Sequence, residues 1–243
     1  MLPTASFPYS TERMGLPYWA HYGIILRQFK ILFHVKKAME KLQYISQGQT
    51  ITQQKDNILK ALDAGAKWVQ IRWKQSDEND LYRLAEQIKR ACAAFDAICI
   101  INDNPALAKA VDADGVHLGL DDCAILEARN LLGAEKIIGG TANTMTDVRR
   151  RIAENCDYIG LGPFTYTATK QKLSPLLGIN GYETVMQQIN REGLPSVPIF
   201  AIGGIGTIED IQQLLQTGVY GVALSGVVTQ TPNIISTIHK LLS

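Results

Sequence analysis

Thr165, Thr167, Thr169, Lys170 and Lys172 fall within eight residues, directly after the apolar run Tyr158–Leu161 and a break at Gly162-Pro163. Hydroxyl and ammonium groups at that density are what a phosphorylated ligand requires, and ligands of α/β sheets and barrels bind in the loops at the carboxyl ends of the strands. Alone, such a run is as often a solvated loop. In WVQIRWK, however, Gln70, Arg72 and Lys74 alternate with Val69, Ile71 and Trp73, so strand geometry sends an amide, a guanidinium and an ammonium to one face. That face either meets an anion at a barrel mouth or is solvated at a sheet edge, and the residues weigh the two equally. ICIIN runs into Asn102-Asp103 and GVHLG into Asp121-Asp122, so carboxylates end two successive strand-like runs. Hard divalent cations are held by one or two carboxylates together with phosphate oxygens, which makes Asp103 with Asp122 a candidate Mg²⁺ site. Asp121 also reads as an N-cap for the helical AILEARNLL, and His117, alone in its strand, reads as a satisfied core residue. Finally, AIGGIG around Gly203-Gly204 and ALSG around Ser225-Gly226 either let backbone N–H groups approach phosphate oxygens or simply turn the chain.

Positioning these groups requires a regular scaffold, and from Leu42 the chain supplies one. The runs LQYIS, WVQIRW, ICIIN, GVHLG, KIIGG, YIGLG, PIFAIGG and YGVALSG alternate with stretches of helical period such as ENDLYRLAEQIKRACAAF and TIEDIQQLLQTG. Eight strand and helix repeats in about 200 residues predict an α/β protein built as a single (β/α)₈ TIM barrel, a fold of about 250 residues. A doubly wound open sheet is the alternative, weakened by the lack of a GxGxxG turn after the first strand. Residues 1–38 lack this rhythm and read as an N-terminal extension, outside the barrel domain of residues 39–243. Their apolar part, GIILRQFKILF, is too short and too charged to span a bilayer. The expectation is a leader upstream of a natural start at Met39, the alternative an amphipathic arm.

The chain has 243 residues and a formal net charge of +1. That balance excludes the broad basic field that nucleic acid attracts, so a bound anion must be small and held locally. Cys92, Cys99, Cys123 and Cys156 form no CxxC pair and read as reduced thiols of a cytoplasmic protein, not as a zinc site.

Taken together and in order, QIRWK, Asn102-Asp103, ADGVHLGLDD, IIGGTANT, DYIGLGPFTYTATK, FAIGGI and GVALSG resemble the thiamine-phosphate synthase family, which also includes the thiazole tautomerase. The resemblance covers nearly everything from Met39 onward. It implies a transferase of thiamine biosynthesis on a TIM barrel, joining 4-amino-2-methyl-5-(diphosphooxymethyl)pyrimidine to a thiazole phosphate with Mg²⁺, and releasing diphosphate by a dissociative displacement. Gln70, Arg72, Lys74 and Asn102 then correspond to the diphosphate-binding groups, and Asp103 and Asp122 to the metal ligands. Thr141 stands near the reacting pyrimidine. Thr167 and Thr169 stand near the thiazole phosphate with Lys170 on the departing diphosphate, and Gly204, Leu224 and Ser225 seat the thiazole phosphate. Lys170, Arg72 and Thr141 are the catalytic candidates. Two positions depart from the family pattern: Leu120, where a polar residue is common, and Asn104, where a basic one is frequent. The partners implied are these small-molecule substrates, with neither nucleic acid nor membrane; a homo-oligomer is compatible with the resemblance. A thiazole tautomerase and a non-catalytic phosphate sensor are the competing readings, and formation of diphosphate discriminates among the three.

Overall fold

A computed structural model describes residues 39–166 and 175–242. The expectations for residues 1–38, and those for Thr167, Thr169, Lys170 and Lys172, lie outside the described residues.

Eight parallel strands close into a barrel in sequence order, the first hydrogen-bonded to the second and to the eighth. They are β1 (Leu42–Ile45), β2 (Trp68–Ile71), β3 (Ile98–Asn102), β4 (Gly115–Leu118), β5 (Ile137–Ala142), β6 (Tyr158–Leu161), β7 (Ile199–Ile202) and β8 (Gly221–Leu224). The helices between them are α1 (Ile51–Asp63), α2 (Glu78–Ala94), α3 (Pro105–Ala110), α4 (Ile125–Leu132), α5 (Met145–Ala153), α6 (Gly178–Arg191) and α7 (Ile208–Gln216). Two more follow β8, α8 (Gly226–Gln230) and α9 (Ile234–Leu242); α9 buries Ile235, Ile238 and Leu242 at helical spacing. The open-sheet alternative is thereby set aside.

Local chemistry marks the start of most helices. Thr50, Asp77 and Asn104 accept backbone N–H bonds as N-caps of α1, α2 and α3, and Thr144 with Asp147 and Thr207 with Asp210 form reciprocal capping boxes on α5 and α7. Asn104, one of the two departures from the family pattern, is thus occupied with starting α3. The N-cap of α4 is Ala124, with no side-chain bond. The expectation that Asp121 caps this helix is corrected: α4 begins too far along the chain, and the turn Gly119–Asp122 intervenes.

Alternation along each strand sorts the side chains into two cores. Val69, Ile71, Cys99, Ile101, Val116, Leu118, Ile138, Ile159 and Leu161 face outward under the helices. Trp68, Ile98, Ile100, Ile137, Tyr158 and Phe200 face inward and fill the lower barrel, with Trp68 meeting Tyr158 and Phe200 edge to face at centroid distances of 4.9 and 5.0 Å. Above that aromatic layer the inward positions turn polar, with Gln43, Gln70 and His117 buried.

Candidate active site

The polar groups at the carboxyl ends of β2, β3 and β4 converge. Gln70 lies two residues above Trp68 on the inward face of β2, is 2 % exposed, and donates from Nε2 to Asn102 Oδ1 at 2.7 Å. Its Oε1 is buried without a hydrogen-bond partner among the described residues. Arg72 continues the same face. Its backbone N–H is held by the Ser46 hydroxyl at 2.9 Å and its carbonyl by the Gln54 amide at 3.3 Å, so the end of β2 is tied to β1 and α1. Burial draws the Arg72 guanidinium below its usual range, and the charge of Asp103 opposes that shift.

Asp103 follows β3 in a left-handed backbone conformation, φ +63°, its N–H donating to the His117 carbonyl at 2.8 Å. That conformation is uncommon for a residue with a side chain. Here it turns the Asp103 carboxylate toward two neighbours: Lys74 Nζ at 2.9 Å and the carboxyl of Asp122 within hydrogen-bonding reach. Asp122 is itself fixed by accepting the Gly119 N–H at 2.6 Å. The two carboxyls titrate in opposite directions. Asp103 resists the upward push of its burial and falls, because Asp122 and Lys74 donate to it; Asp122 rises through burial and through the Asp103 charge beside it. Two carboxyls that close repel when both are ionised, and a cation beside them relieves the repulsion.

Thr141, on the inward face of β5, is half-buried and lies 3.0 Å from His117 Nε2, whose Nδ1 lies 3.0 Å from the Tyr158 hydroxyl. Burial lowers the His117 pKa to about 4, so the imidazole is neutral at pH 7. Below the rim, Arg151 of α5 has a side chain only 1 % exposed. It donates from Nε to the Thr141 carbonyl at 3.0 Å, from Nη2 to the Gly119 carbonyl at 2.7 Å and from Nη1 to Glu154 at 2.8 Å. One guanidinium therefore ties the loop of Asp122 to the strand of Thr141.

On β7 and β8 the expected phosphate seat is differently composed. Gly204 has φ +76°, and a side chain there would meet the Thr165 hydroxyl at 2.2 Å, so its glycine lets the loop after β6 lie against that after β7. Thr165 Oγ1 donates to the Gly204 carbonyl at 2.7 Å. The Ser225 hydroxyl donates to the Ile45 carbonyl at 2.7 Å, and Leu224 points its buried side chain into the outer core. These three positions could meet a ligand through backbone N–H groups, not through the hydroxyl proton of Ser225.

Gln70 with Asn102, Lys74 with Asp103, and Asp103 with Asp122 are thus in direct contact, and Thr141 joins the surroundings of the two carboxyls through His117 and Arg151. The sequence reading took His117 as a satisfied core residue, as it is, with both ring nitrogens hydrogen-bonded, and passed over Tyr158, Gln43 and Arg151. For His117 and Tyr158 a signal existed, since both lie at inward positions in register with Gly139 of β5; Gln43 lies opposite Ala223 and carried no such signal. Arg151, in a helix with two other arginines, had none.

With this geometry in view, the relatives are informative. Residues 42–228 match the family described as thiamine monophosphate synthase. The chain belongs to the thiamine monophosphate synthase family. That match takes in every site residue named above. A thiamine-phosphate synthase of Flavobacterium psychrophilum is 53% identical over 201 residues, covering 83% of this chain and 97% of the relative. One of Bacteroides fragilis is 42% identical over 205 residues, covering 84% and 100%. Among solved structures, a thiamine phosphate pyrophosphorylase from Pyrococcus furiosus superposes with a TM-score of 0.71 at 25% identity, over 84% of this chain and 97% of the other.

Proposed function

We propose that this member of the thiamine monophosphate synthase family is the transferase that joins 4-amino-2-methyl-5-(diphosphooxymethyl)pyrimidine to a thiazole phosphate, giving thiamine phosphate and diphosphate. The observation that carries the reading at residue level is the contact of Lys74 with Asp103 and of Asp103 with Asp122, on a rim shared with Arg72 and Gln70. A tautomerase displaces no diphosphate and a sensor needs no leaving-group chemistry, and neither accounts for that cluster; the relatives named above carry the synthase name.

Mg²⁺ fits these residues. Two adjacent carboxyls form part of the oxygen donor set a hard divalent cation prefers, completed by phosphate oxygens. Asp103 and Asp122 would hold it, and when bound it supplies charge neutralisation to the departing diphosphate. The chain's own contribution is positional and electrostatic. Arg72 and Lys74 put positive charge where negative charge develops, and the proposed role of Lys170 is the same. The unpartnered Gln70 Oε1 is an acceptor, so it suits an amino N–H of the pyrimidine better than a diphosphate oxygen; its Nε2 is already given to Asn102. Thr141 faces the pyrimidine, and backbone N–H groups near Gly204 and Ser225, with Thr167 and Thr169, take the thiazole phosphate. Small-molecule substrates suffice as partners, and a cytoplasmic site of action goes with them. Among the described residues no helix is long and apolar enough to cross a membrane.

Purified protein incubated with both substrates and Mg²⁺ should release diphosphate in step with thiamine phosphate. Isomerisation of the thiazole without diphosphate would point to the tautomerase, and binding without turnover to the sensor.

A further inference from the structure

Inside the barrel, from the aromatic layer up to the mouth, four side chains from four strands make a continuous hydrogen-bonded line. Gln43 of β1 donates from Nε2 to the Tyr158 hydroxyl oxygen at 3.1 Å; Tyr158 of β6 reaches His117 Nδ1 at 3.0 Å; His117 of β4 reaches Thr141 Oγ1 of β5 from Nε2 at 3.0 Å. Gln43, His117 and Tyr158 are at most 4 % exposed, and Thr141 alone reaches the partly accessible rim.

The Gln43 amide, with its nitrogen toward Tyr158, sets the direction of the line. The Gln43 amide nitrogen is a donor and occupies an acceptor site on the Tyr158 oxygen, so the phenolic proton has to go to the other neighbour, His117 Nδ1. A nitrogen that accepts carries no proton, and the neutral imidazole therefore carries its single proton on Nε2 and donates it to Thr141 Oγ1. Thr141 then has one oxygen lone pair engaged from below and its own hydroxyl proton free to point upward. The reverse direction would place two donors, the Gln43 N–H and the phenolic O–H, against each other, and would send the Thr141 proton down into the barrel.

The space for this line is cut into the sheet. A side chain at Gly139 of β5 would lie 2.1 Å from Tyr158 Cζ, and one at Gly160 of β6 would lie 3.2 Å from His117 Cε1. Both glycines stand at inward positions beside the ring they admit, Gly139 in register with both His117 and Tyr158, and Gly160 with Thr141. A barrel interior is otherwise filled by branched apolar side chains.

We propose that Gln43, Tyr158 and His117 are positioning residues that fix the imidazole as the Nε2–H tautomer, and thereby set Thr141 to present its hydroxyl as a hydrogen-bond donor to an acceptor atom of the bound pyrimidine substrate. The proposal rests on the reading that Thr141 faces that substrate, and the test separates the two. In ¹⁵N-histidine-labelled protein at pH 7, the His117 signals, assigned by their loss in His117→Gln, should show a protonated Nε2 and an unprotonated Nδ1. Tyr158→Phe should abolish that preference. A protonated Nδ1 in the intact protein overturns the proposal whatever the activity. In turnover assays Tyr158→Phe should lower kcat about three- to tenfold, the worth of one neutral hydrogen bond. In a Thr141→Val background the same change should add no further loss, because the line then has no hydroxyl to set. Equal losses in both backgrounds would mean that Tyr158 acts only by packing, and would refute the role. Wild-type protein releasing no diphosphate would instead refute the functional reading and leave the tautomer measurement standing.

Discussion

Acid should destabilise this barrel in a way traceable to one ring. His117 sits fully inside the sheet, and burial lowers its pKa from 6.5 to about 4. In the unfolded chain the imidazole takes up a proton as the pH drops below about 6.5, the ordinary histidine value. The folded state does not follow until near 4, so across that window the unfolded state binds more protons, and stability falls with falling pH. Each pH unit of the gap is worth about 1.4 kcal/mol, so roughly 3 kcal/mol present above pH 6.5 should be gone by pH 4. For a domain whose whole stability is typically about 5–15 kcal/mol, that loss is large. The measurement is urea unfolding at half-unit pH steps between 7 and 4 in chelator-containing buffer, on the wild type and on His117→Gln. Carboxylates titrate in both proteins, so the informative quantity is the difference in slope: the wild-type curve should fall more steeply, by roughly 3 kcal/mol over the interval. Parallel curves, whatever their absolute heights, would mean that His117 is charged or hydrated in the folded protein and would refute the account of the buried line.

Other outcomes follow from particular contacts. Asp122→Asn removes one of two adjacent carboxyls, so the Mg²⁺ concentration for half-maximal turnover should rise at least about tenfold while the metal-free protein keeps its melting temperature, checked by metal titration and calorimetry. Lys170→Ala should lower kcat by about 10²–10³, the scale for one pre-organised charge-stabilising donor, with no change in Tm; unchanged turnover would remove it from the proposed mechanism. Gly139→Ala, which would set a methyl group 2.1 Å from Tyr158 Cζ, should destabilise by about 1–3 kcal/mol or more, and pairing it with Tyr158→Leu should recover part of that loss in the same melting assay. Glu192 is held at a pKa of about 2 chiefly by its bond to Arg149; its folded value lies below the unfolded one, so its contribution is present above about pH 4.5 and fades as pH falls toward 2, and Arg149→Met should flatten that limb of an acid titration.

The barrel was legible because its grammar is local. Strand runs such as ICIIN, whose whole length became β3, are bounded by turns, and helix starts carry caps that report themselves, as Thr207 and Asp210 do. Boundaries moved where apolar residues continued past the ladder: WVQIRW was read to Trp73, but β2 stops at Ile71 because the Arg72 N–H goes to Ser46. The cluster of Arg72, Lys74, Asp103 and Asp122 was suggested by period-two alternation and by acids at two strand ends. What distance along the chain hid was pairing. That Thr141 meets His117 depends on inter-strand register, and that a buried Arg151 binds two carbonyls depends on the helix returning over the sheet. Asp121 misled because an acid ahead of a helical run is a common cap, whereas here a turn lies between them.

The aromatic plug formed by Trp68, Tyr158 and Phe200 has a kinetic corollary. With the floor sealed by side chains at most 1 % exposed, no route runs along the barrel axis among the described residues, and small molecules meet the polar groups from the mouth. An excess of either product, held at that same mouth, should therefore compete with the incoming substrates.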